Sequence, residues 1–209
     1  MPNAALVRHA EEVVPRSGWV LRHVIWQVLR STGPIKQHAL KWIRQLDLDV
    51  QQIVLGPYGS PVGGASRHTL GSLERRASLD SLAALTILML LRHEEGELEW
   101  AWLHAYSVFR VLLLMGTHLE QHGVAQKVFE LYSERVFSLA VFDGKRMDLS
   151  NYDYVFAANH LVGIANRVKE RHATQRDRRM WTFYALQALT GLYEQRFKKY
   201  FEIPLVAVL

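Results

Sequence analysis

The sequence predicts an all-α protein, a multi-helix bundle of about seven or eight helices. Two long apolar stretches carry this prediction, Leu82–Leu91 and Leu98–Met115, and an acidic, glycine-containing turn joins them. Segments that are apolar on nearly every side are expected to be buried by the elements before and after them. From residue 73 onward the apolar residues have helical spacing almost throughout, which favours helix over sheet.

Several elements are predicted ahead of this core. Ala4–Val14 is a short helix that Pro15 ends. Trp19–Arg30 and Ile35–Leu46 carry apolar residues at helical spacing, and a break containing Gly33 and Pro34 separates them. Gln51–Leu55 is interpreted as one short strand. Together these elements form a predicted N-terminal segment, residues 1–55.

Residues 56–72 are predicted to be a loop or linker, because they include five glycines and two prolines. Residues 73–209 then form the predicted helical body, with Gly123 as a stop signal. Beyond the apolar hairpin, the body has further predicted helices over 124–141 and 175–201, a turn at 142–145 and an apolar tail at 203–209. Between them, Ser150 can cap another helix, which has an apolar stripe from Tyr154 to Val168. The tail either docks on the body or contacts a second copy of the chain.

Composition excludes several classes of site. The chain has 209 residues and no cysteine, which rules out disulfides, thiolate metal sites and a cysteine nucleophile. The N-terminal residues have no apolar core of signal-peptide length. The apolar runs are shorter than the roughly 18 to 20 residues that a membrane span needs. We therefore expect a cytoplasmic protein without a membrane span.

Charge is distributed in three blocks along the chain. Residues 1–92 carry 11 Lys/Arg and 6 Asp/Glu, residues 93–153 carry 5 and 10, and residues 154–209 carry 9 and 4. The order is basic, acidic, basic. The basic ends suit a polyanionic partner, and they equally suit pairing with the acidic middle in the fold or in a dimer.

The pair Trp19–Arg30 and Ile35–Leu46 has the outline of a helix-turn-helix motif. Such a motif needs an exposed second helix whose side chains reach phosphates and base edges. The second helix carries residues of the right type, since Arg and Gln can contact guanine and adenine bidentately. These candidate residues are Lys36, Gln37, Lys41, Arg44 and Gln45. An ordinary amphipathic hairpin shows a similar polar face, so that alternative stays open.

A second basic cluster extends from Arg167 to Arg179. Arg171 lies near the end of one predicted helix, where cations are favoured by the helix dipole. Arg176, Arg178 and Arg179 lie at the start of the next, where the dipole disfavours them. This placement indicates either a phosphate-bearing partner or pairing with the acidic residues of positions 94–99.

Catalysis and metal binding have little support in the sequence. His118 and His122 are spaced i, i+4 on one predicted helix face, but zinc needs at least one further ligand. No nucleophile motif, phosphate loop or dinucleotide fingerprint occurs. We expect no catalytic residues, no metal and no cofactor.

These observations favour a non-enzymatic nucleic-acid-binding protein, a regulator or accessory factor that uses basic surfaces on a helical fold. The alternative is a helical protein-interaction or assembly subunit that does not bind nucleic acid. Its partners would be other proteins or a second copy of the chain. The sequence specifies neither the ligand and its sequence preference nor the oligomeric state.

Overall fold

The computed structural model describes residues 4–13, 17–62, 66–171 and 203–204. Helices occupy most of these residues, which confirms the predicted all-α class. The α-helices are α1 Ala4–Val13, α2 Ser17–Arg22, α3 Ile25–Arg30, α4 Lys36–Ile43, α5 Leu48–Val54, α6 Arg67–Arg76, α7 Leu79–Glu94, α8 Leu98–Gln121, α9 Ala125–Arg135 and α10 Asn151–Arg171. A 3₁₀ helix, Phe137–Leu139, and the two-residue strands β1 Val141–Phe142, β2 Lys145–Arg146 and β3 Ile203–Pro204 complete the described part. Within these ranges no helix is long and apolar enough to cross a lipid bilayer.

The hairpin of α7 and α8 is the centre of the fold. Ser78 caps α7, because its side chain accepts a hydrogen bond from the Ser81 backbone N–H. Gly96 turns the chain at φ 76°, a left-handed conformation that favours glycine. Twelve of the sixteen residues of α7 are buried, as its apolar sequence predicts.

The N-terminal helices α3, α4 and α5 all pack against α7. One hydrophobic core extends from Val24 through α7 and α8 to Leu161 in α10. Residues of the predicted N-terminal segment and of the helical body therefore share this core. The packing also fixes which face of α4 is buried and which reaches solvent.

The predicted helix Trp19–Arg30 is wrong in one respect, because α2 and α3 replace it. The interruption falls at His23, whose Nδ1 accepts a hydrogen bond from the Ile25 backbone N–H at 3.1 Å. A side chain that takes a backbone N–H competes with the helical hydrogen-bond pattern. This split is one reason why the helices outnumber the seven or eight that the sequence predicts.

The predicted strand Gln51–Leu55 is also wrong, because all but its last residue lie in α5. Val50 and Val54 are fully buried, at the i, i+4 spacing of a helix. A run of five residues is too short for its periodicity to separate helix from strand. Only Leu55 has strand-like pairing, in an isolated antiparallel bridge with Pro61.

Helix α6 begins at Arg67, within the range 56–72 that the sequence predicts as loop. Ser66 sets this start, since its side chain accepts a hydrogen bond from the Thr69 backbone N–H. A prediction based on glycine and proline content misses this helix start, because the start depends on the single capping residue Ser66.

After α8, Gly123 ends the helix at φ 65°, as predicted. Helix α9 ends at Arg135, earlier than the predicted boundary at 141. The predicted turn at 142–145 is a tight hairpin turn, with positive φ at Asp143 and Gly144. Strand β3 pairs antiparallel with β2, so that Ile203 lies opposite Arg146. The predicted helix 175–201 and most of the apolar tail lie outside the described residues.

Helix α10 closes the core against α8 and α9. A Cβ at Gly116 in α8 would lie 3.2 Å from the Ala158 side chain, so glycine permits this close approach. The Tyr154 hydroxyl donates to the Leu112 carbonyl at 3.1 Å, and its ring stacks on Phe129 with centroids 4.5 Å apart. These contacts leave the opposite face of α10 toward solvent.

Candidate nucleic-acid interface

Helix α4 has one buried face and one exposed face, and its sequence explains both. Ala39, Trp42 and Ile43 are buried, where they join the core that α7 centres. All the predicted contact residues of this helix and the turn after it are exposed: Lys36, Gln37, Lys41, Arg44 and Gln45. The structure thus brings these five together on one solvent-facing surface.

The N-terminus of α4 carries a carboxylate from α7. Glu94 Oε2 accepts hydrogen bonds from the Ile35 backbone N–H at 2.7 Å and the Lys36 backbone N–H at 3.1 Å. Lys36 Nζ in turn lies 3.1 Å from Glu95 Oε1. The backbone N–H groups that would suit a phosphate at a helix N-terminus are therefore already bound to a negative group. This arrangement disfavours base readout by the first residues of α4, the usual mode of a recognition helix.

The acidic turn after α7 is organised around Arg92, whose side chain is 7% exposed. One guanidinium nitrogen lies 2.7 Å from Glu95 Oε2 and 2.9 Å from Glu97 Oε2. The other terminal nitrogen donates to the Val62 carbonyl at 3.0 Å. Much of the acidic charge in this turn is therefore paired inside the fold.

The basic segment, residues 17–46, contains five Lys/Arg and no Asp or Glu. All five cations are exposed: Arg22, Arg30, Lys36, Lys41 and Arg44. Three of them, Arg30, Lys41 and Arg44, have no carboxylate within ion-pair distance in the part of the chain that the structure describes. Sequence reasoning overlooked Arg22 and Arg30, and the signal that would have found them is the absence of acidic residues from this stretch.

Two contacts with α7 hold the basic segment in place, one near each end of that helix. Glu94 binds the start of α4, and His23 Nε2 lies 3.4 Å from Asp80 Oδ1. Asp80 Oδ1 also accepts from the Asp47 backbone N–H at 3.1 Å. Burial by itself raises the pKa of Asp80, but its contacts with His23 and Asp47 outweigh burial, and the pKa is lower than usual.

The second predicted cluster is only partly within the described residues. Arg171 ends α10, whereas Arg176, Arg178 and Arg179 lie outside the described residues. The prediction that these residues bind phosphate therefore remains a prediction.

The histidines do not assemble a metal centre in the described ranges, where no group of three or more His, Asp or Glu residues could hold an ion. His118 lies in the last turn of α8, and His122 follows that helix. His104 is buried with Nδ1 2.6 Å from the Trp100 carbonyl. Burial lowers its pKa to about 4, so the ring is neutral at physiological pH.

No protein-family model, curated protein or solved structure matches the chain. The functional proposal therefore depends on the geometry of the basic segment.

Proposed function

We propose that the protein is a non-enzymatic nucleic-acid-binding protein whose basic segment contacts the phosphate backbone. One observation carries the proposal: thirty consecutive residues hold five exposed cations and no acid. Cations that have no internal partner are available to neutralise phosphates, and this interaction supplies most of the non-specific affinity of such proteins.

The mode of binding follows from the surroundings of α4. Glu94 occupies its N-terminus and Glu95 pairs with Lys36, whereas Lys41 and Arg44 lie at the other end of the helix without carboxylate partners in the described part of the chain. The exposed cations Arg30, Lys41 and Arg44 would therefore position a nucleic-acid backbone. Phosphate contacts of this kind carry no direct sequence information, so we expect weak sequence preference.

The test is the salt dependence of affinity for a short DNA duplex. Replacing Arg30, Lys41 and Arg44 together by Gln should reduce the slope of log affinity against log salt by about three units, roughly 0.9 for each phosphate that is no longer neutralised. Affinity measured by fluorescence anisotropy between about 50 and 200 mM salt gives this slope directly.

The matched control removes the same charge elsewhere. The double Gln variant of Lys41 and Arg44 is compared with a double Gln variant of Arg8 and Arg75, two exposed cations outside the basic segment that form no ion pair in the described part of the chain. The Arg8 and Arg75 variant should retain most of the wild-type slope, and equal reductions of the slope in the two double variants would attribute binding to net charge alone. Absence of duplex binding by wild type at about 50 mM salt would overturn the proposal.

A second candidate, a helical assembly subunit, is favoured by the solvent face of α10. Tyr152 and Phe156 are 77% and 54% exposed, and their rings stack with centroids 6.3 Å apart. Phe156 also stacks on His160 at 6.0 Å. Exposed aromatic side chains of this kind are enriched at protein interfaces.

Sedimentation velocity tests this second candidate. Replacing Tyr152 and Phe156 by Ser should convert an oligomer to monomer, because it removes the aromatic side chains that would be buried between copies. Tyr58, which is 96% exposed in the loop after α5, provides the control, and Tyr58→Ser should leave the oligomer intact. A wild-type protein that sediments as monomer at every concentration would exclude self-assembly through α10.

A further inference from the structure

A cleft of about 410 Å³ opens beside the α3–α4 turn, where this turn meets the end of α7 and the junction of α9 with the 3₁₀ helix. This volume lies in the range typical of small-molecule sites. Its apolar part is formed by Val28, Leu29, Ile35, Leu90 and Leu139. These five side chains form the apolar floor of the cleft. The first three are buried and the last two are half-buried.

The polar lining of the cleft includes charges of both signs. Glu134 and Arg135 end α9, and both side chains are exposed. Adjacent residues of a helix do not face each other, and neither side chain forms an ion pair in the described part of the chain. Glu94 also lines the cleft, but its carboxylate already binds the start of α4. The rim therefore offers one carboxylate and one guanidinium to an occupant.

We propose that this cleft binds a zwitterion with an apolar body, namely a free α-amino acid with an apolar side chain. Arg135 would bind the carboxylate, Glu134 would bind the ammonium group, and the apolar floor would bury the side chain. His93 and the Ser31 and Thr32 positions add polar groups to the wall.

Other small ligands fit this lining less well. A plain carboxylic acid leaves Glu134 without a partner and brings two negative groups close together. A plain amine leaves Arg135 without a partner and brings two positive groups close together. An inorganic anion makes no use of the apolar floor. Only a ligand with both charges and an apolar body satisfies the floor and the rim together.

The experiment compares L-leucine with two analogues that each lack one charge. Isothermal titration should show binding of L-leucine, with binding of 4-methylpentanoate and 3-methylbutylamine weaker by about tenfold or more, because each analogue lacks one charge-assisted hydrogen bond. If L-leucine gives neither heat nor a rise in melting temperature at about 10 mM, the proposal fails. Equal binding of all three probes would also overturn it.

Single-site variants assign the two charges. Arg135→Gln should weaken the binding of L-leucine and 4-methylpentanoate, which carry the carboxylate, and leave the binding of 3-methylbutylamine unchanged. Glu134→Gln should weaken the binding of L-leucine and 3-methylbutylamine, which carry the ammonium group, and leave the binding of 4-methylpentanoate unchanged. Arg75→Gln changes an exposed residue that does not line the cleft, and it should leave all three affinities unchanged. If neither cleft variant alters the order of the probes, the charged rim does not bind the ligand. The basic-segment cations Arg30, Lys41 and Arg44 do not line the cleft, so this proposal and the proposed nucleic-acid binding stand or fall separately.

Discussion

The basic segment and the acidic turn at residues 94–97 are neighbours that differ in whether their charged side chains form ion pairs within the fold. Glu95 and Glu97 of the turn share the buried Arg92, which lies in the last turn of α7. In the basic segment, Lys41 and Arg44 are exposed and have no carboxylate partner in the described part of the chain. The charges of the turn pair within the fold, whereas Lys41 and Arg44 are the cations that we propose to bind a partner.

Lys36 lies at the boundary between the two regions. It belongs to α4, but its ammonium group lies 3.1 Å from Glu95. Membership of a basic stretch therefore does not decide whether a cation is available. We propose that the position of the nearest carboxylate decides it, and this position depends on how α4 packs against the end of α7.

The largest expected effect that separates the regions is on stability. Arg92→Ala should lower the free energy of unfolding by about 3 kcal/mol, because it removes a buried guanidinium that binds Glu95, Glu97 and the Val62 carbonyl. Arg44→Ala should change it by less than about 0.5 kcal/mol, as expected for an exposed side chain without a specific partner. Urea unfolding followed by circular dichroism measures both. Similar decreases in the two variants would remove the contrast between paired and available charge.

A smaller effect is expected at the other contact between the segment and α7. Because the pKa of Asp80 is lower in the folded protein than usual, the unfolded chain binds this proton more readily. The ionised Asp80 carboxylate therefore stabilises the fold fully above the ordinary carboxyl pKa, and this stabilisation is lost as the pH falls through the lowered pKa.

Asp80→Asn should therefore cost about 1–3 kcal/mol at neutral pH and flatten the decline of stability below about pH 4. Asp49, an exposed carboxylate paired with Arg76, provides the control, and Asp49→Asn should keep the wild-type acid profile nearly unchanged. Unfolding free energies measured from neutral pH to about pH 3 test this. An unaltered acid profile in Asp80→Asn would show that the contact with His23 does not stabilise the segment.

Local patterns in the sequence predicted much of the fold and the exposed surface of α4. The apolar stretches predicted the α7–α8 hairpin, and the polar positions of Ile35–Leu46 are the ones that reach solvent. Helical spacing suffices here, because burial of one face of a helix follows directly from its period. The same patterns failed at His23 and at Gln51–Leu55, where a side-chain hydrogen bond and a very short run decided the outcome.

The charged groups that surround the basic segment could not be predicted from local sequence patterns. Glu94 caps α4 from 59 residues away in sequence, and Arg92 reaches the Val62 carbonyl across 30 residues. Neither interaction leaves a signal in residue spacing, because both depend on the packing of distant segments. The candidate residues could be identified from the sequence, whereas the distinction between Lys36 and Lys41 required the structure.

That distinction gives the most direct test of whether internal pairing controls binding. Lys36→Gln and Lys41→Gln remove one charge each from the same helix, and both side chains are exposed. If an internal partner decides availability, Lys41→Gln should reduce the salt slope of duplex affinity by about 0.9, and Lys36→Gln should reduce it by less than about half as much. Equal reductions would contradict this explanation, because pairing with Glu95 would then have no influence on binding.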